Sequence, residues 1–224
     1  MARDSFTITR LSSVPDRDIW RSIRELCCRT GDNGKPIAAG RWDFFAKIWI
    51  DPYERLLPHW TYVAKSESSL IAYLTGCPDS EPFARAAFYR CTLPLLLAVA
   101  AGRHRRNLDA ARFARRDLGL EDRVERCFAP EIRRRIAHEF PAHLHMNVDS
   151  RFRGLGLGRR LIERYFADLK AIEKPGVHLY CGPDPVGFYL AVGFREIGAI
   201  VFRGLRVHVL GYSFQADVID RHVT

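Results

Sequence analysis

The chain has 224 residues, 47% of them hydrophobic and 12% aromatic, enough apolar material for one sizeable core and a single domain spanning 1–224. Its formal charge of +9 points to anionic partners such as nucleotides, phosphorylated cofactors, nucleic acid or acidic lipid heads, without choosing among them. The six cysteines, none at C-x-x-C spacing, argue against a structural metal; with no signal-like apolar run at residues 1–6 they read as reduced thiols of a cytoplasmic protein. The longest apolar run, 95–101, is too short to span a bilayer, so no membrane partner is expected.

Residues 6–11 alternate and are rich in β-branched side chains, which predicts a first strand. Ser13, Val14, Pro15 and Asp16 look like a helix start, and Ile19, Trp20, Ile23, Leu26 and Cys27 follow at helical spacing before Gly31 to Gly34 end the pattern. A second helix is expected around Phe44, Phe45, Ile48 and Trp49, until Pro52 and Pro58 interrupt it. Residues 60–64 and 70–75, separated by the polar turn 65–68, read as a hairpin. From about 80 to 140 arginines crowd in and strand alternation ceases. There Val124, Phe128, Ile132, Ile136 and Phe140 recur every four residues, which predicts a helical insertion with an apolar face that packs on the body or on a second subunit. Residues 143–148 then read as a strand, 161–169 as part of an amphipathic helix, 177–181 as a strand and 185–192 as a short helix. Residues 195–201 pair with 205–214.

Between strand and amphipathic helix stands Arg153-Gly154-Leu155-Gly156-Leu157-Gly158. Glycines there let backbone N–H groups approach phosphate oxygens, and the helix N-terminus adds unpaired donors and the positive end of its dipole. Arg153, Arg159 and Arg160 add positive charge at the same end. No Lys-Ser or Lys-Thr follows, which removes a P-loop. The turn lies late in the chain and the next strand ends in no carboxylate, which disfavours a dinucleotide fingerprint.

The run from Val148 to Gly158 resembles the signature of the GNAT acetyltransferases, in which an Arg-x-x-Gly-x-Gly/Ala loop grips the pyrophosphate of acetyl-CoA. Phe188-Tyr189-Leu190-Ala191-Val192-Gly193-Phe194 resembles the second signature of that family, in the correct order and spacing. Residues 141–145 and the preceding insertion further resemble the acetyltransferase-like domain of O-GlcNAcase proteins and its free-standing bacterial relatives. The resemblance implies an α/β (α+β) GNAT fold, with a mixed, mostly antiparallel sheet flanked by helices and interrupted by the insertion. It also implies acetyl transfer from acetyl-CoA (CoA) to a primary amine by direct attack in a ternary complex.

Residue by residue, the resemblance assigns Met146 N–H to the thioester carbonyl and Val148 to pantetheine. It assigns Arg153, Gly154, Leu155, Gly156, Leu157, Gly158 and Arg159 to the pyrophosphate, and Tyr189 to the departing thiolate. His145, which shares a strand face with His143, is the expected general base. Some arylalkylamine acetyltransferases carry His-Leu-His one residue further from the loop; alternation puts the present pair on the opposite face unless a bulge corrects the register. Asp184 and Pro185 depart from the family pattern ahead of the last helix, where Asp184 reads as a cap. The acceptor, a small molecule or a peptide amine, stays open, as does a homodimer. Two other readings stand beside this one: an acetyl-CoA-binding module without catalysis, and nucleic-acid binding through the arginine-rich insertion. Acids such as Asp109 and Glu125 intersperse that insertion and disfavour the nucleic-acid reading.

Overall fold

A computed structural model describes residues 6–12, 16–31, 34–67, 69–117 and 123–215. Seven strands form one sheet: β1 (Phe6–Arg10), β2 (Thr61–Ser66), β3 (Ser69–Cys77), β4 (Ala142–Val148), β5 (Gly176–Cys181), β6 (Arg195–Phe202) and β7 (Leu205–Ser213). Their order is β1-β2-β3-β4-β5-β7-β6, and every neighbouring pair is antiparallel except β4 and β5. Two-residue alternation divides the side chains between two faces. On one face Tyr62, Leu74, Leu144 and Leu179 pack with Leu161, Tyr165 and Leu169 of α9 (Leu157–Ala171). On the other, Val63 and Tyr73 pack with Trp20, Ile23 and Leu26 of α1 (Arg17–Thr30) and with Tyr53 of α3 (Asp51–Leu56).

The Asp16 carboxylate caps α1 by accepting from the N–H groups of Asp18 and Ile19, as the expected start requires. Ser13, Val14 and Pro15 of that start, and Ser68 of the hairpin turn, lie outside the described residues. The second helix is α2 (Trp42–Trp49), and α3 follows it where the prolines predict an interruption. Pro52 stands in the first turn of α3, where its missing N–H leaves no bond unmade, so it begins a helix instead of ending one.

In the insertion, α4 (Ser80–Ala87) continues through a π-helical turn, Phe88–Thr92, into α5 (Leu93–Ala100). α6 (Leu108–Asp117), α7 (Val124–Cys127) and α8 (Pro130–Glu139) complete the described helices. The stripe expected on the last two is buried: Phe128 and Ile136 pack on Val209 of β7, with Val124 and Ile132 beside them. The apolar run at 95–101 belongs to a longer helix. Ser80–Ala100 is a helix of 21 residues that is long and apolar enough to cross a membrane by length and composition, and 11% of its most apolar 18-residue window is buried. The apolar run is broken at Thr92, whereas the helix continues N-terminal to it through Arg90 and Arg85.

Candidate active site

The site begins with a divergence of strands. β3 and β4 keep an unbroken register from Ala72–Val148 to Cys77–His143, and the Asp149 N–H extends it by donating to Ile71 O at 2.9 Å. Antiparallel alternation then turns the N–H groups of His143, His145 and Asn147 toward β3, and those of Met146 and Val148 toward β5. β5, however, meets β4 only at Ala142–Val177 and His143–His178, while all six of its residues pair with β7. Held by β7, β5 leaves β4 after the first two residues. Met146 and Val148 therefore turn their N–H groups into a cleft that crosses the sheet.

The glycine loop lies at the end of this cleft, where a 3-10 turn, Ser150–Phe152, joins β4 to α9. Asp149 sets the turn: its buried carboxylate accepts from the Arg151 N–H and from that residue's guanidinium at 3.1 and 2.9 Å, which holds its pKa below the ordinary carboxylate value. Gly154 and Gly156 adopt φ of +80° and +77°, and nothing stands within 4 Å of where their Cβ atoms would be. Side-chain-free backbone thus faces open space at the start of a 15-residue helix. Gly158 serves a different purpose. A Cβ there would stand 2.8 Å from Phe188 and 3.3 Å from Met146, so its absence lets α9 approach α10 (Val186–Ala191). Arg159 fastens the two helices by donating to Ala191 O at 2.8 Å, Arg153 reaches Val148 O at 3.4 Å, and Leu155 is exposed at the loop tip. Leu157 is buried in the core.

The two histidines of β4 share the face covered by α1–α3, and the unbroken register supplies no bulge to move them. They differ in their bonding. Ser80 donates its hydroxyl to Pro141 O at 2.6 Å, which leaves its oxygen to accept from His143 Nδ1 at 2.7 Å; the Tyr53 phenol then donates to Nε2 at 2.9 Å. Both ring nitrogens of His143 are committed. His145 Nδ1 is buried without a partner, and its ring lies 5.5 Å from that of Trp49 and 5.8 Å from that of Tyr73. Trp49 itself is 45% exposed, so this corner of the cleft opens outward.

Burial pushes His143 down to about 3, helped by His178 and His145, and pushes His145 down to about 4. His178, whose Nδ1–H donates to Phe140 O at 2.6 Å, is lowered by burial as well. These values lie below the ordinary 6.5, so the unfolded chain binds more protons in the interval and stability rises with pH across it. The contribution is complete above about 6.5 and is lost as pH falls toward 4. Denaturant melts between pH 7 and 4 are expected to lose several kcal/mol, since a ring that stays neutral in the fold and charges on unfolding costs roughly 1.4 kcal/mol for every pH unit below 6.5. A flat profile would mean that the three rings are hydrated in solution.

Tyr189 is buried on the opposite face of the sheet, against Phe188 and Phe194 at ring distances of 5.1 and 5.5 Å. Burial, then the neighbouring Cys181 thiol, raises its pKa well above that of a free phenol, so the proton stays on. Among the described residues its hydroxyl has no hydrogen-bond partner. Asp184 does not cap α10: the N-cap of that helix is Pro185, and no side-chain cap bond is made there. Sequence reasoning missed Trp49, Tyr53 and Ser80, which reach β4 from sequence distances that local periodicity does not register. Asp149 two residues before Arg151 was visible as a local pair.

No family model matches the chain. A crystal structure named SsHAT superposes with a TM-score of 0.69 at 27% identity, covering 93% of this chain and 98% of that one. An N-acetyltransferase from Staphylococcus aureus Mu50 superposes with a TM-score of 0.53 over 93% of this chain and 98% of its own; at 12% identity it speaks for the fold alone. Among curated proteins, serotonin N-acetyltransferase 2, chloroplastic, from Oryza sativa subsp. japonica is 45% identical over 47 residues, which is 21% of this chain and 24% of that protein. Sheet order, splayed β4–β5 pair, glycine loop and full-length superpositions agree: the chain has the fold of the GNAT acetyltransferases.

Proposed function

We propose that the chain transfers an acetyl group from acetyl-CoA to a primary amine of a small molecule or peptide by direct attack within a ternary complex. One observation carries this reading: the cleft between β4 and β5 ends at the glycine loop and is flanked by His145 on one face and Tyr189 on the other. The residues present fit the acyl donor, because Gly154 and Gly156 leave space above their backbone where a pyrophosphate can sit. Bound acetyl-CoA would supply an acetyl group already activated as a thioester.

In this reading the loop from Arg153 to Gly158, with Arg159 behind it, holds the pyrophosphate, and Val148 aligns the pantetheine arm through its backbone. Met146 N–H orients the carbonyl oxygen as a fixed donor that needs no reorganisation. His145, neutral at pH 7, accepts the proton of the attacking amine at Nδ1 in the tautomer that leaves this atom unprotonated. Tyr189 donates its phenolic hydrogen to the departing sulfur; burial keeps that hydrogen in place until it is needed. The two proton transfers take place on opposite faces of the sheet, so neither group competes for the other's proton.

Thiol release from acetyl-CoA, followed against a panel of aromatic, aliphatic and peptide amines, tests the reading. Tyr189→Phe is expected to lower kcat about a hundredfold while leaving the KM for acetyl-CoA nearly unchanged, since the hydroxyl acts as the thiolate leaves. CoA binding without turnover of any amine would instead describe a binding module. Full rate in Tyr189→Phe would leave the residue with a packing role.

A further inference from the structure

We infer that the helix Ser80–Ala100 docks the protein on an anionic phospholipid bilayer, lying in the interface without crossing it. The inner side of the helix is engaged: Phe83 packs on Tyr53 and His143, Leu95 and Leu96 pack with Phe44 and Phe113, and Ser80 is bonded to Pro141 and His143. Spanning a membrane would break all of these contacts. The outer side presents Tyr89, Leu93 and Leu97 at four-residue spacing, 64%, 36% and 62% exposed, with Leu108 at the start of α6 80% exposed. Spacing of four residues places the three on one stripe.

The charge of this helix and of the turn that follows it selects the occupant, although Arg103, Arg105 and Arg106 of that turn also line a crevice with Asp43 and Phe44. From 80 to 107 five arginines, Arg85, Arg90, Arg103, Arg105 and Arg106, stand against one acid, Glu81. Glu81 pairs with Arg85 at 3.4 Å; among the described residues the other four arginines have no ion-pair partner. A second copy docked stripe to stripe would bring two such clusters together against their mutual repulsion. Nucleic acid would satisfy the arginines and leave the leucines uncovered. An anionic bilayer satisfies both, taking the leucines and Tyr89 into the headgroup boundary while the guanidinium groups meet phosphates. A crevice of about 310 Å³ lined by Pro82, Arg85, Ala86, Tyr89 and Arg90 combines an apolar lining with two arginines on the same helix.

Co-sedimentation of the full chain with vesicles of phosphatidylcholine alone, and with mixed phosphatidylcholine–phosphatidylglycerol vesicles, tests the inference. Binding to the mixed vesicles only, weakened by salt, is expected. Leu97→Glu and the pair Arg90→Glu with Arg105→Glu are each expected to lower partitioning about tenfold or more, at unchanged thermal midpoint. Equal sedimentation with both vesicle types, none with either, or unaltered binding by these variants would overturn it. A molecular mass in solution of twice the chain that Leu97→Glu halves would assign the stripe to a second copy. Salt-dependent binding to duplex DNA that exceeds binding to the mixed vesicles would assign the arginines to nucleic acid.

Discussion

Replacing Gly156 with valine is expected to raise the dissociation constant for CoA by about a hundredfold, equivalent to about 2.7 kcal/mol. Two effects add. At φ of +77° a β-branched residue is strained, so the loop abandons its shape or holds it at a cost of roughly 1–3 kcal/mol. A side chain would also occupy the open space above the backbone, where the proposed site holds the pyrophosphate. Calorimetry with CoA measures the loss, and thermal melts show whether the variant is folded. Gly158→Ala makes a useful contrast, because its Cβ would press on Phe188 and Met146 and so act on helix packing before it acts on the anion. A folded Gly156→Val chain with unchanged affinity would remove the loop from the acetyl-CoA site.

The second large effect concerns the two histidines. His145→Gln is expected to lower kcat on the order of a hundredfold while CoA affinity stays the same, since in the proposed mechanism the ring accepts a proton and does not grip the donor. His143→Gln should behave in the opposite way, lowering the thermal midpoint and sparing kcat, because both ring nitrogens of His143 are tied to Tyr53 and Ser80. In the wild type His145 stays neutral down to about 4, so a fall in rate between neutral pH and that point is expected to report protonation of the acceptor amine. Full turnover in His145→Gln would mean that the amine loses its proton to water or to another group.

Much of the fold is legible in the sequence because its signals are local. The alternation in β1 to β3, the stripe of α9 and the glycine loop each depend on a handful of adjacent residues, and the structure places them where periodicity does. Two departures have the same origin. Pro52 reads as a stop when taken alone, although at a first turn proline suits a helix start. The apolar run at 95–101 is short when taken alone, although the helix that contains it begins at Ser80.

By itself the sequence determined the glycine loop ahead of α9 and the motif that carries Tyr189, since positive φ and close backbone approach require glycine at fixed spacings. Only the tertiary structure decided that β5 follows β7 and abandons β4, because strand pairing is chosen by long-range competition that no single segment encodes. It also decided which histidine is free. His143 and His145 are equivalent in pattern, and what separates them is that Tyr53 and Ser80 arrive, 90 and 63 residues away, to bind one ring and leave a nitrogen of the other buried without a partner.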